Sequence, residues 1–142
     1  MTKRVSHSVR GDHGLGYIYV DAVFYNPIDY TEFVGGRRRF EDVRRATLKS
    51  LVDTGATFPA LPEDVVEMLS LPIYGEAETA TGREKVRISA AVIQIEDRTS
   101  LSYIIVRPKG ATPLIGVVVL EQMGFRVDPV TGRLIKGLPL ML

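Results

Sequence analysis

The sequence predicts a small all-β domain with two short helices, and three observations lead there. Segments of strand length alternate apolar and polar residues or run in β-branched residues. Glycine and proline turn signals separate them at short intervals. Only "LPEDVVEML" and, with strand and helix both open, "PLIGVVVLEQMGF" carry helix-forming patterns. At 142 residues the chain fits one domain, predicted over 15–142 behind a flexible polar tail at 1–14.

From Leu15 the first strand alternates. Ile18, Val20, Ala22 and Phe24 face one way, and Tyr17, Tyr19, Asp21 and Val23 the other. "YNPIDYTEFVGGRRRFED" then reads as a long surface hairpin excursion over 26–42, containing a proline, a Gly-Gly pair and a run of arginines. A second strand runs from about Val43 into "LKSLVD". In "LPEDVVEML", Pro62 suits a first helical turn, and Glu63 and Asp64 favour the positive end of a helix. Val65, Val66 and Leu69 share one face of that helix. "GEAETATGREKVRISAAVIQIE" predicts a hairpin turning at Ala80, Thr81 and Gly82 and continuing as a strand through Val86, Ile88, Ala90 and Val92. "SLSYIIVRP" is a further strand, and "VDPVTGRLI" is a pair of short strands about a Pro-Gly turn.

Composition narrows the function. With 45% hydrophobic and 25% charged residues the chain reads as an ordinary soluble globular protein. The balance of 18 basic and 17 acidic side chains, net +1, argues against a nucleic-acid partner. No apolar run approaches the ~20 residues that span a bilayer, so no membrane partner is expected. "MTKRVSHSVRGDHG" lacks the apolar stretch of a secretory signal, and a cytoplasmic location is expected. The absence of cysteine removes disulfides and thiolate chemistry. His7 and His13 have no cysteine or carboxylate cluster beside them, so no metal site is expected. The basic cluster "GGRRRF" and "VRR" is interrupted by Glu41 and Asp42 and reads as a solvated hairpin.

The stretch that carries chemistry is "LVDTGATFPALP", Leu51 to Pro62. A carboxylate beside glycine often does no more than cap its own turn. Here, however, Leu51 and Val52 precede Asp53, Ala56 follows the Asp-Thr-Gly, and a later "PLIG" places an apolar pair and a glycine before a helix-forming run. This order and spacing resembles the retropepsin-like aspartic proteases, in particular their microbial single-domain members, over roughly residues 15–133. The resemblance implies a small closed β-barrel and a helix beginning near Val117.

It also implies a function. Hydrolysing a peptide without metal or covalent intermediate needs one group to take a proton from water while another gives one to the carbonyl. Two adjacent carboxylates do both, because like charges ~3 Å apart share one proton. The chain holds a single Asp-Thr-Gly. The resemblance therefore implies a homodimer with Asp53 of each protomer meeting on the two-fold axis, acting on a peptide or protein substrate without a cofactor.

By the same resemblance Thr54 bonds across the dimer, Gly55 allows tight loop packing, and Ala56 leaves room for substrate. Ala80, Thr81 and Gly82 sit at a mobile flap, and Leu114 and Gly116 belong to a substrate pocket, with core packing the alternative for Leu114. The apolar "GLPLML" end would lie at the dimer interface or cover its own barrel. Retroviral members carry an acidic residue after the Asp-Thr-Gly-Ala and an arginine after the later glycine. Thr57 and Val117 stand there, so an apolar or hydroxyl contact is expected in place of the ion pair. A non-catalytic dimeric module for peptide binding or assembly is the alternative function.

Overall fold

A computed structural model describes residues 7–10 and 16–138. It is mostly β, with three short α-helices. The strands are β1 (His7–Arg10), β2 (Gly16–Tyr25), β3 (Arg45–Val52), β4 (Ala60–Pro62), β5 (Gly75–Glu78), β6 (Lys85–Ile95), β7 (Arg98–Arg107), β8 (Leu114–Ile115), β9 (Phe125–Asp128) and β10 (Arg133–Lys136). The helices are α1 (Pro27–Val34), α2 (Glu63–Met68) and α3 (Val117–Met123).

Eight strands form one sheet in the order β1-β2-β3-β8-β4-β7-β6-β5, and β9 and β10 form a separate hairpin. β2 pairs a second time, Val23–Tyr25 lying against Gln94–Val92 of β6, so the ladder leads back to β2. β6 serves three neighbours: its first half takes β5, its later residues take β2, and β7 runs along it from Ile88 to Ile95. The pairings β3–β8 and β4–β7 are parallel.

The alternation in β2 is the half-buried pattern its sequence predicts. Ile18, Val20, Ala22 and Phe24 are buried, and Tyr17 and Asp21 are exposed. They meet Leu61, Ile93, Ile104 and Ile115, all fully buried, in one core. Each such side chain contributes about 1.5–3 kcal/mol by leaving water. α3 begins at Val117, as the resemblance implied, and ends on Gly124 in the left-handed conformation at φ 77°.

Three expectations are corrected. Residues 7–10, expected in a flexible tail, form β1 antiparallel to the start of β2. Residues 1–6, 11–15 and 139–142, which include Leu15, His13 and most of the apolar C-terminal end, lie outside the described residues.

The stretch over 26–42 is no hairpin: it folds as α1 followed by a short 3₁₀ turn at Phe40–Asp42. Asn26 caps α1, its side-chain oxygen accepting from the Ile28 and Asp29 N–H groups at 3.0 Å each, and Pro27 opens the helix. The start signal is plain in "NPID", and the Gly-Gly pair and arginine run follow the helix rather than form a hairpin turn.

Pro62, expected in the first turn of α2, ends β4 and stands just before the helix.

Arg38, Arg39, Arg44 and Arg45 are engaged internally. Arg44 Nε and Nη2 donate to the two oxygens of buried Asp29, at 2.8 and 3.1 Å. Arg38 bonds Glu32, Arg39 bonds Asp42, and Arg45 stacks over Phe40 with 4.0 Å from guanidinium carbon to ring centroid. Tyr25, Tyr30, Phe33 and Phe40 form an aromatic cluster beneath them.

Candidate active site

β3 delivers Asp53 at the end of the sheet, and the loop after it is held from both sides. Leu51 pairs with Leu114 and Val52 with Ile115 in parallel register. The Asp53 N–H donates to the Ile115 carbonyl at 3.0 Å, which fixes the residue's backbone against β8. Asp53 is half-buried. One oxygen, Oδ1, accepts the Gly55 N–H at 2.9 Å, and the Asp53 carbonyl accepts the Ala56 N–H at 3.1 Å. The turn cap uses Oδ1 alone: among the described residues nothing donates to Oδ2.

The far side of the loop is fastened to α3. The Val117 N–H donates to the Ala56 carbonyl at 2.8 Å, and the Val118 N–H to the Thr57 carbonyl at 3.1 Å. The opening amides of a helix lack partners of their own, and here the site loop supplies them. Gly116, at the cap position of α3, makes this possible. A Cβ there would lie 2.6 Å from both the Phe58 carbonyl carbon and the Thr57 oxygen. Among the described residues, backbone bonds thus join the Thr57 and Val117 regions where a hydroxyl or apolar side-chain contact was expected.

Thr54 and Gly55 are exposed, and the Thr54 hydroxyl bonds no described residue. Ala56 is half-buried. With Phe58, Ala60, Ile105 and Leu114, Ala56 forms the apolar floor of a groove of about 440 Å³. Leu114 therefore faces that groove, while Gly116 is buried against backbone.

Ala80, Thr81 and Gly82 are exposed at the tip of the β5–β6 hairpin. There Gly82 takes φ 69° and its N–H bonds the Thr79 carbonyl at 2.8 Å. Beneath the hairpin lies a second groove, about 660 Å³, walled by Tyr74, Ala77, Val86, Ile88 and Tyr103. Phe58 touches both grooves and meets Tyr103 edge-on, with centroids 6.3 Å apart.

Two groove residues escaped the sequence reading. Phe58 sits in a turn whose path depends on Gly116. Arg107 enters through the register of β7 on β4, where Pro62 lies beside it. Neither position carries a local pattern that marks it. Among the described residues no His, Cys, Asp and Glu side chains gather into a metal-holding group, and no helix is long and apolar enough to cross a membrane.

No family model matches the sequence, and no curated protein matches it. Solved structures do. A retropepsin-like aspartic protease from Rickettsia conorii aligns over 96% of this chain and 91% of its own, with a TM-score of 0.61 and 22% identity. The retroviral protease-like domain of Ddi1 from Leishmania major aligns over 87% and 94%, with a TM-score of 0.50 and 14% identity. The chain has the retropepsin-like fold.

Proposed function

We propose that this chain is an aspartic endopeptidase, active as a cytoplasmic homodimer on extended peptides and without a cofactor. The observation that carries the reading is the Asp53 carboxylate at the end of β3, with one oxygen held by the Gly55 amide and the other open, in a chain with the retropepsin-like fold. In this reading the sheet works as a closed barrel, the second pairing of β2 with β6 supporting closure.

One Asp-Thr-Gly supplies one carboxylate, so two protomers are needed to make the acid–base pair. With both carboxylates at the two-fold axis, the pair holds a single proton. The ionised member takes a proton from water as that water attacks the peptide carbonyl, and the protonated member gives its proton to the carbonyl oxygen. As the tetrahedral intermediate collapses, the carboxyl that took the proton from water gives it to the leaving nitrogen, the other carboxylate takes a proton from a hydroxyl of the intermediate, and the C–N bond breaks to release amine and carboxylic acid. Thr54, exposed and without a described partner, is assigned to the partner loop; the hairpin tip at Ala80, Thr81 and Gly82 closes over substrate, and Leu114 walls its pocket. The internal pairing of Arg38, Arg39 and Arg44 supports a protein with no nucleic-acid partner.

The test is cleavage of a peptide library by the wild-type chain and by Asp53→Asn. The substitution removes the proton-transfer pair but keeps an oxygen for the Gly55 amide. Cleavage is expected to vanish while the far-UV spectrum and dimer mass stay unchanged; retained cleavage sinks the assignment.

A further inference from the structure

We propose that Arg107 makes the groove beside Asp53 selective for an acidic substrate side chain. The inference rests on the peptidase reading for its place in catalysis, though the groove's charge preference can be measured without it.

The argument begins with the groove of about 440 Å³. It starts one hydrogen bond from the candidate catalytic residue: Ala56, on its wall, donates its N–H to the Asp53 carbonyl. Leu114, opposite, is in register with Leu51 just before Asp53. Among the described residues the lining is apolar apart from Thr57 and Arg107, and Arg107 is the charged one.

Arg107 is exposed at the end of β7. Among the described residues it makes no ion pair and no side-chain hydrogen bond, whereas Arg38, Arg39, Arg44 and Arg87 each pair with a carboxylate. It also borders the groove under the hairpin and a third groove of about 500 Å³. The acids of those two grooves, Glu76 and Glu78 on one side and Glu63 and Glu84 on the other, form no ion pair with it.

A guanidinium above an apolar floor favours a side chain with a short aliphatic stem and a terminal carboxylate. The stem covers Ala60 and Leu114, and the carboxylate takes two parallel N–H donors. Water is partly displaced there, which strengthens the pairing. Glutamate and aspartate meet this requirement, lysine and arginine are repelled, and glutamine loses the charge-assisted part.

The experiment uses decapeptide sets that differ only by Glu, Gln or Lys at one position, scanned along the peptide. Two readouts are taken on the full chain: kcat/KM with wild type, and binding anisotropy of labelled peptides with Asp53→Asn. Arg107→Lys and Arg107→Glu are made in both backgrounds, with folding checked by circular dichroism. At one position the Glu peptide is expected to be preferred about tenfold. The preference should fall with added salt, persist in part in Arg107→Lys, and turn toward a Lys peptide in Arg107→Glu. Cleavage with the same Glu/Gln ratio in wild type and Arg107→Glu overturns the inference and leaves the peptidase standing. Binding that follows the charge at 107 without any cleavage keeps the acidic subsite and overturns the peptidase reading. Neither cleavage nor charge-dependent binding overturns both.

Discussion

At residue 116 a single methyl group decides whether the site loop can lie where it does. The backbone of Thr57 and Phe58 occupies the space a Cβ would need, at 2.6 Å. Backbone cannot swing aside as a side-chain tip can. Gly116→Ala is expected to cost about 1–3 kcal/mol, read as a lower urea midpoint, and to reduce cleavage by displacing the loop that carries Asp53.

Asp29 contributes to acid stability instead. Hydrogen bonds from Arg44 hold its carboxyl below the ordinary 3.8, against the opposing push of burial. The folded chain therefore binds this proton more weakly than the unfolded one. The stabilisation is full above the unfolded value and is lost as pH falls through the lower folded value. Asp29→Asn should lower stability at neutral pH by about 1–3 kcal/mol and flatten the decline in unfolding midpoint below about pH 4. A decline as steep as in wild type would mean that other carboxylates control it.

Among the elements, α1 is tied to the domain by the chain's only asparagine. Asn26 caps the helix with its oxygen, while its Nδ2 donates to the Leu69 and Ser70 carbonyls at the end of α2. Its backbone N–H meets the Arg44 carbonyl. Asn26→Ala strips the cap and leaves two carbonyls without this donor, a loss of about 2 kcal/mol that thermal unfolding reads directly. At the hairpin tip, Gly82→Ala forces an L side chain to φ 69° and should cost about 1 kcal/mol, seen as a lower melting temperature.

Elements with a period of their own were legible in the sequence: β2 by its alternation, and β6 and β7 by their length. α3 was open between strand and helix on its local pattern, its β-branched run competing with the glycine stop, and only the family resemblance implied the helix. β4 and β8 span three and two residues, too short to show a period. α1 carried its cap signal, but the glycines and arginines behind it weighed more. In the site, Asp53 and its loop were readable from local order. Arg107 was not, because its place depends on Ala60 lying beside Ile105 across the sheet.

For the whole molecule, the proposed chemistry makes activity a property of two chains. Below the dimer dissociation constant the specific rate should rise with protein concentration, and a monomer by sedimentation should be inert. Adding the Asp53→Asn chain to a fixed amount of wild type should suppress cleavage, since each mixed dimer holds one ionisable carboxylate at 53. The most direct measurement is the rate of peptide cleavage from pH 3 to 8 by wild type and by Asp53→Asn at equal dimer concentration. The account predicts a bell-shaped profile for the wild type, the mark of a pair sharing one proton, and none for the variant. Equal cleavage by both chains, or none by a folded wild-type dimer at any pH in that range, would contradict it.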